Sequence, residues 1–223
     1  MSEAKAELEK QQTVRIGDIA PNFSAKTTKG DISLHEYLGD SWGVLFSHPA
    51  DFTPVCTTEL GRVAQLKSEW AKRNVKPIGY SVNSLESHGN WIKDINETQN
   101  CVVDYPLIDG SDKSVALRYG MLDPDEVDKA GMPLTVRSVF VIDPNKKVRM
   151  ILTYPAATGR NFDEILRVID SLQMTSYKKL ATPADWKKGD SAVILPNVSN
   201  EEAEKLFPGY TTVKPYLRTT TKY

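Results

Sequence analysis

The chain has 223 residues, 40% of them hydrophobic and 26% charged, with a formal net charge of -1. Those proportions describe a globular protein with chain enough for a sizeable core, as one large domain or one domain with an appendage. Such a balanced charge offers no electrostatic footprint for nucleic acid, and no apolar run is long enough to span a bilayer, so neither partner is expected.

Residues 1–12 are polar and mixed in charge. They lack the apolar core of a secretory signal, and their glutamates are foreign to a transit peptide. They read as a flexible arm, and the cytoplasm as the compartment. Trp42 to His48 (WGVLFSH) is a short apolar run with the look of a buried strand. Thr53 then reads as an N-cap, with Pro54 at the first helical position. The helix is expected to run to about Lys72, with Val55, Leu60, Val63, Ala64 and Ala71 as its apolar stripe. A strand follows over Val75 to Val82, where Pro77 is awkward. Ser84 caps a further helix, roughly Leu85 to Glu97, and Cys101 lies in the loop behind it.

A short strand at Tyr105 to Ile108 and a short helix at Lys113 to Tyr119 come next, with Gly120 placed to end the helix. Val139 to Ile142 and Val148 to Thr153 flank Asp143-Pro-Asn-Lys-Lys147, a hairpin pattern with a turn-rich tip. Asn161 to Met174 is amphipathic and helical. This order implies a mixed α/β sheet with helices on both faces. Residues 181–223 are rich in proline and short polar segments, with one small helix near Glu201 to Leu206. So short a tail is expected to lack a core of its own and to pack on the main domain, 13–180, or on a partner chain.

The chain has two cysteines, Cys56 and Cys101, too few for a disulfide framework. In a reducing compartment both rest as thiols, so any role for Cys56 is reactive. Its position in the first turn of a helix places it near unpaired amides and the positive end of the dipole, which favour the thiolate. Cys56-Thr-Thr-Glu59 is not a CxxC pair, and no other cysteine or histidine has zinc-ligand spacing with it. The C-x5-R spacing to Arg62 resembles a phosphate-binding loop, but Glu59 would sit inside the cradle and repel a dianion. Attack on a small electrophile remains, most simply a peroxide, with a sulfenic acid as first product.

Pro49-Ala-Asp-Phe-Thr53-Pro-Val-Cys56 resembles the Pro-x-x-x-Thr/Ser-x-x-Cys motif of peroxiredoxins, and Arg137 in TVRSVFVID matches their active-site arginine. GDSWG, YPAATGRNFDEILRVIDSLQ and TPADWKKGD are similar to the 1-Cys branch of that family. The resemblance implies a thioredoxin-like fold with a small C-terminal extension, 181–223, that helps build a homodimer. It implies a Cys56 nucleophile, Pro49 shielding the sulfur, Thr53 holding the peroxide and Arg137 steadying the developing charge. His48, Glu59 and Arg160 would support them. Cys101 is not placed where the family keeps a resolving cysteine. An external thiol would therefore clear the sulfenate, glutathione by resemblance, with help from a glutathione S-transferase. No metal, haem or flavin is called for.

Gly39-Asp-Ser41-Trp-Gly43 has the spacing of a lipase motif. Relatives are credited with a phospholipase A2 and acyltransferase activity, for which His35 and Ser41 match two of three residues. The third position is Asn145, with Asp143 two residues upstream, and an asparagine cannot stabilise an imidazolium as a carboxylate does. The serine also precedes a strand, unlike a nucleophile elbow. A third alternative is a dimeric redox sensor or holdase set by Cys56 oxidation.

Overall fold

The computed structural model describes residues 12–129, 131 and 133–223, so the arm expected over 1–12 lies, apart from Gln12, outside the described residues. The chain packs as two units, one ending at Phe162 and the other running Asp163–Tyr223.

In the first unit, strands β1 (Ser24–Thr27) and β2 (Gly30–Ser33) form a hairpin that leads into α1 (Leu34–Leu38). There follow β3 (Trp42–Ser47), α2 (Pro54–Gln65), α3 (Lys67–Lys72), β4 (Val75–Tyr80), α4 (Leu85–Gln99), β5 (Leu107–Ile108) and α5 (Ser114–Tyr119). A small pair, β6 (Leu122–Val127) and β7 (Pro133–Thr135), precedes β8 (Arg137–Ile142) and β9 (Val148–Tyr154). Among the described residues, seven strands make one sheet in the order β2-β1-β5-β4-β3-β8-β9. Its centre is parallel, β3 to β4 to β5, and the antiparallel β8–β9 pair joins at β3.

Side chains alternate along β3, and that alternation puts helices on both faces. Leu45 enters a cluster with Ile78, Tyr80, Phe140 and Ile142, which also takes Leu34 and Leu38 of α1 and Val115, Ala116 and Tyr119 of α5. Phe46 faces the other way, onto Tyr105, whose hydroxyl donates to the Leu60 carbonyl in α2.

Pro77 fits because β5 reaches β4 only at Gly79 and Tyr80. The Gly79 N–H donates to Pro106 on that side, so the nitrogen of Pro77, two residues back, faces a stretch with no strand beside it. The long helix expected to Lys72 is two helices, broken at Leu66 (φ -84°, ψ 14°). The break turns Trp70 inward, and its indole N–H donates to the Val63 carbonyl at 2.9 Å. Ala71, expected in the buried stripe, is exposed instead. Ser84 does cap α4, accepting from Ser87 N, and Gly120 (φ 63°) ends α5 in the left-handed region.

The second unit holds α6 (Phe162–Tyr177, all but its first residue), β10 (Leu180–Ala181), β11 (Ala192–Ile194), α7 (Asn200–Leu206), β12 (Thr211–Lys214) and β13 (Leu217–Thr220). Its four strands form an antiparallel sheet ordered β10-β11-β13-β12. Contrary to expectation, the tail has a small core, with Leu180, Ala192, Ile194, Val198, Ala203 and Phe207 buried together. Met174 from the end of α6 adds to it, and the buried Arg218 guanidinium closes it by donating to the carbonyls of Leu195 and Val198.

Gly110 admits no side chain, since a Cβ there would lie 1.8 Å from the Ser81 carbonyl oxygen. Gly110→Ala is expected to destabilise the protein by at least about 2 kcal/mol in denaturant unfolding. An unchanged midpoint would contradict this packing of the loop beyond β5 against the end of β4.

Candidate active site

The parallel centre of the sheet carries the chain from β3 through His48-Pro49-Ala-Asp51-Phe52 into α2. Phe52 turns it with φ 56°, a conformation bulky residues rarely adopt. Thr53, extended at φ -115° and ψ 146°, is the N-cap residue, and Pro54 starts the helix. The Thr53 hydroxyl does not cap the helix, as the sequence suggested. It donates to the Ala50 carbonyl at 2.9 Å, which leaves its oxygen as an acceptor. Thr57 N–H is bonded to the Thr53 carbonyl, so the amides of Val55 and Cys56 fall before that first turn closes. Cys56 and Pro49 are both buried.

Arg137 opens β8 and brings its guanidinium to the same place. Its Nη1 donates to Cys56 Sγ at 3.4 Å and to Glu59 Oε2 at 2.7 Å, while Nε and Nη2 both donate to the Ala156 carbonyl, at 2.8 and 2.6 Å. Glu59 lies three residues after Cys56 on the same face of α2. Its Oε1 accepts from Arg160 N (2.7 Å) and Nε (2.9 Å), and its Oε2 also accepts from Arg160 Nη2 (2.7 Å). Arg160 Nη1 donates to the Ser138 carbonyl, and its plane lies over the rings of Phe46 and Phe162.

Relative exposure is 0% for Cys56, 3% for Glu59, 2% for Arg137 and 7% for Arg160, so this is a buried charge cluster. Two guanidinium groups face one carboxylate, so the cluster carries an excess positive charge beside the Cys56 sulfur. Burial pushes the Glu59 carboxyl upward, but the hydrogen bonds and charge of Arg160, and then the charge of Arg137, outweigh it and hold Glu59 below the ordinary carboxylate range.

The expected supporting residues divide. Glu59 and Arg160 join Arg137 directly. His48 directly follows β3, fully buried, with Nε2 2.9 Å from Asp51 Oδ1 and no partner for Nδ1. Burial holds it below the ordinary histidine range despite Asp51, and the charge of Arg160 adds to that. The sequence reading passed over Asp51 and His88, whose Nδ1 lies 2.7 Å from Asp51 Oδ2. The only available signal was their place: an acid within the Cys56 motif, and a histidine in the first turn of α4. Cys101 is a free thiol raised by burial, with its Sγ directed at the Ile95 carbonyl. Cys56 and Arg62 sit on one unbroken helix, and Arg62 is exposed, so the two form no phosphate loop.

Of the lipase-like residues, His35, Ser41 and Asp143 are bonded to other partners. Ser41 Oγ donates to Asn74 Oδ1 at 2.8 Å. His35 Nε2 lies 2.7 Å from the Ala20 carbonyl. Asp143 accepts from Lys147 N and from Arg149. Asn145 lies exposed in the turn between β8 and β9.

A model of the AhpC/TSA family matches residues 16–151, and a model of the C-terminal domain of 1-Cys peroxiredoxin matches residues 171–209. Peroxiredoxin-6 of Gallus gallus and of Homo sapiens are each 58% identical to this chain, over 86% of it and 88% of their own length. The solved structure of a cysteine-to-serine mutant of the peroxiredoxin 6 of Arenicola marina superposes with a TM-score of 0.91 at 49% identity, covering 94% of this chain and 99% of that one. A yeast mitochondrial 1-Cys peroxiredoxin, described for its thiol resolving mechanism via glutathione/thioredoxin systems, gives 0.87 at 52% identity, covering 93% and 99%.

A carboxyl held low in the folded state stabilises it above the unfolded carboxyl range, and that contribution is lost as pH falls through the folded value. Glu59→Gln is expected to remove this acid-side loss and to cost roughly 3–5 kcal/mol at neutral pH, because two buried guanidinium groups lose their counter-charge. Denaturant unfolding across the acid range measures both. A neutral-pH stability within about 0.5 kcal/mol of the parent would contradict the cluster's role.

Proposed function

The chain belongs to the AhpC/TSA family as one of its 1-Cys peroxiredoxins and is a thiol peroxidase, and on that premise we propose that Cys56 is its peroxidatic nucleophile. Its mixed α/β fold is thioredoxin-like, with a C-terminal domain of extra strands. The observation that carries the assignment is the 3.4 Å contact from Arg137 Nη1 to Cys56 Sγ, with the same nitrogen pinned by Glu59.

The thiolate attacks the terminal oxygen of a hydroperoxide. An S–O bond forms and the O–O bond breaks, and the hydroxide or alkoxide released takes up a proton. Sulfur is oxidised to the sulfenic acid and the peroxide is reduced to water or an alcohol. Arg137 keeps the thiolate and meets the charge that develops across the breaking bond. Thr53 offers its oxygen as acceptor, Pro49 excludes water, and Glu59 with Arg160 fixes the guanidinium of Arg137. His48 supports the pocket beside them. Hydrogen peroxide and organic or lipid hydroperoxides are the substrates.

One external thiol condenses with the sulfenic acid, releasing water, and a second releases Cys56 as the reduced thiol and leaves a disulfide. Glutathione is the proposed reductant, aided by a glutathione S-transferase. Support comes from the glutathione/thioredoxin description of the yeast relative and from the burial that disfavours the thiolate of Cys101. The protein works as a cytoplasmic homodimer built through 181–223. Among the described residues no helix is long and apolar enough to cross a membrane.

Peroxide consumption with glutathione as sole reductant is expected to vanish in Cys56→Ser and to persist in Cys101→Ser. Arg137→Met should slow Cys56 oxidation by about a hundredfold. Turnover that survives Cys56→Ser would overturn the assignment. Turnover with thioredoxin but not glutathione would overturn the choice of reductant alone.

A further inference from the structure

From the loop that leads into Cys56 to the start of α4 runs a buried polar network, of which the peroxidase chemistry above uses only His48. Asp51 is its hub. Its Oδ1 faces His48 Nε2 at 2.9 Å, and its Oδ2 faces His88 Nδ1 and Ser87 Oγ, each at 2.7 Å. Its backbone amide donates to Asn83 Oδ1, itself bonded to Ser81 Oγ. His48, Asp51 and His88 are all buried.

Hydrogen-bond accounting sets the protons. The Ile108 carbonyl, 2.9 Å from His88 Nε2, can only accept, so Nε2 of His88 carries a hydrogen. The Nδ1–Oδ2 contact then holds one hydrogen, between His88 and Asp51. Asp51 is a carboxyl held strongly toward its ionised form; burial opposes this, but its bonds to His48 and His88 prevail. It therefore accepts from His48, whose hydrogen belongs on Nε2. That leaves Nδ1 of His48 with a lone pair and, alone among buried side-chain nitrogens and oxygens of the described residues, no partner. An N–H at that position would be a buried donor with nothing to receive it.

The ring of His48 packs 5.1 Å from Trp91, whose indole donates to Thr57 Oγ1, the residue after Cys56. Through Trp91, His48 thus links the Asp51 network to the first turn of α2.

We propose that Asp51 is a positioning residue for the peroxidase reaction: it holds His48 as the Nε2–H tautomer, so that the buried Nδ1 lone pair accepts the hydrogen of the hydroperoxide bound at Cys56. His88 and Ser87 hold Asp51 in turn, so the orientation of that acceptor is fixed from the first turn of α4. The hydrogen stays on the attacked oxygen as the S–O bond forms and the O–O bond breaks, and the departing hydroxide or alkoxide takes its proton from solvent water.

The inference rests on the Cys56 reading, and the test separates the two. Long-range nitrogen–proton NMR of the reduced wild-type protein is expected to show Nδ1 of His48 unprotonated and Nε2 protonated. The rate of Cys56 oxidation by hydrogen peroxide is then compared in a double-mutant cycle. Asp51→Asn should slow it about ten- to a hundredfold in the wild-type background, and cause no further loss in a His48→Phe background. Equal losses in both backgrounds would overturn the proposal. So would an Nδ1–H tautomer in the wild type, a measurement that decides the matter alone if Asp51→Asn fails to fold. Wild-type protein in which Cys56 is not oxidised at all would instead overturn the Cys56 reading beneath it.

Discussion

The carboxylate of Glu59 is the constraint on which the site depends. It accepts four hydrogen bonds from two arginines in a buried setting. Arg137 comes from the start of β8, Arg160 from the turn before α6, and Glu59 from α2. These segments are far apart in sequence, and one carboxylate ties them around a single sulfur. Desolvating three charges is expensive, and geometry of this quality is what makes it tolerable. The aromatic rings of Phe46 and Phe162 on the face of Arg160 complete the enclosure.

That tie is the physical ground for proposing that the thiol reacts rather than simply packs. A small buried cysteine is ordinary in a core. Here its sulfur is the remaining acceptor for a guanidinium nitrogen already held by Glu59, while the opposite side of Arg137 is fixed on the Ala156 carbonyl. A donor so fixed needs little reorganisation when charge moves from sulfur to the leaving oxygen, which is the electrostatic preorganisation such a reaction needs. The sheet contributes placement: parallel β3 and β4 end on the side where the Cys56 loop begins, and antiparallel β8 brings Arg137 to that end.

Much of this was legible in the residues, for physical reasons. WGVLFSH reads as a strand because it is a short run dominated by aromatic, β-branched and other apolar residues, and Thr-Pro before Val-Cys reads as a helix start because proline suits the first turn. Arg137 came from the family motif, not from periodicity. Glu59 could not be told from a surface charge, because its partner Arg160 lies 101 residues away. The β1–β2 hairpin left little trace, since SAKT and GDIS are short, polar and joined without an Asn-Gly turn. LDPDEV hides β6 behind a proline and three acids. The break at Leu66 is a tertiary effect, driven by burial of Trp70. The tail's core was missed because its apolar residues are spread over two short strands, two helices and the loops between them, and a buried arginine, Arg218, does part of the closing.

The most direct test is the intact mass of the reduced protein after one equivalent of hydrogen peroxide without reductant, with the site mapped by tryptic digestion. One added oxygen on Cys56, trapped by a sulfenate reagent, is the predicted result. A Cys56–Cys101 disulfide, or no oxidation of Cys56 at all, would contradict it.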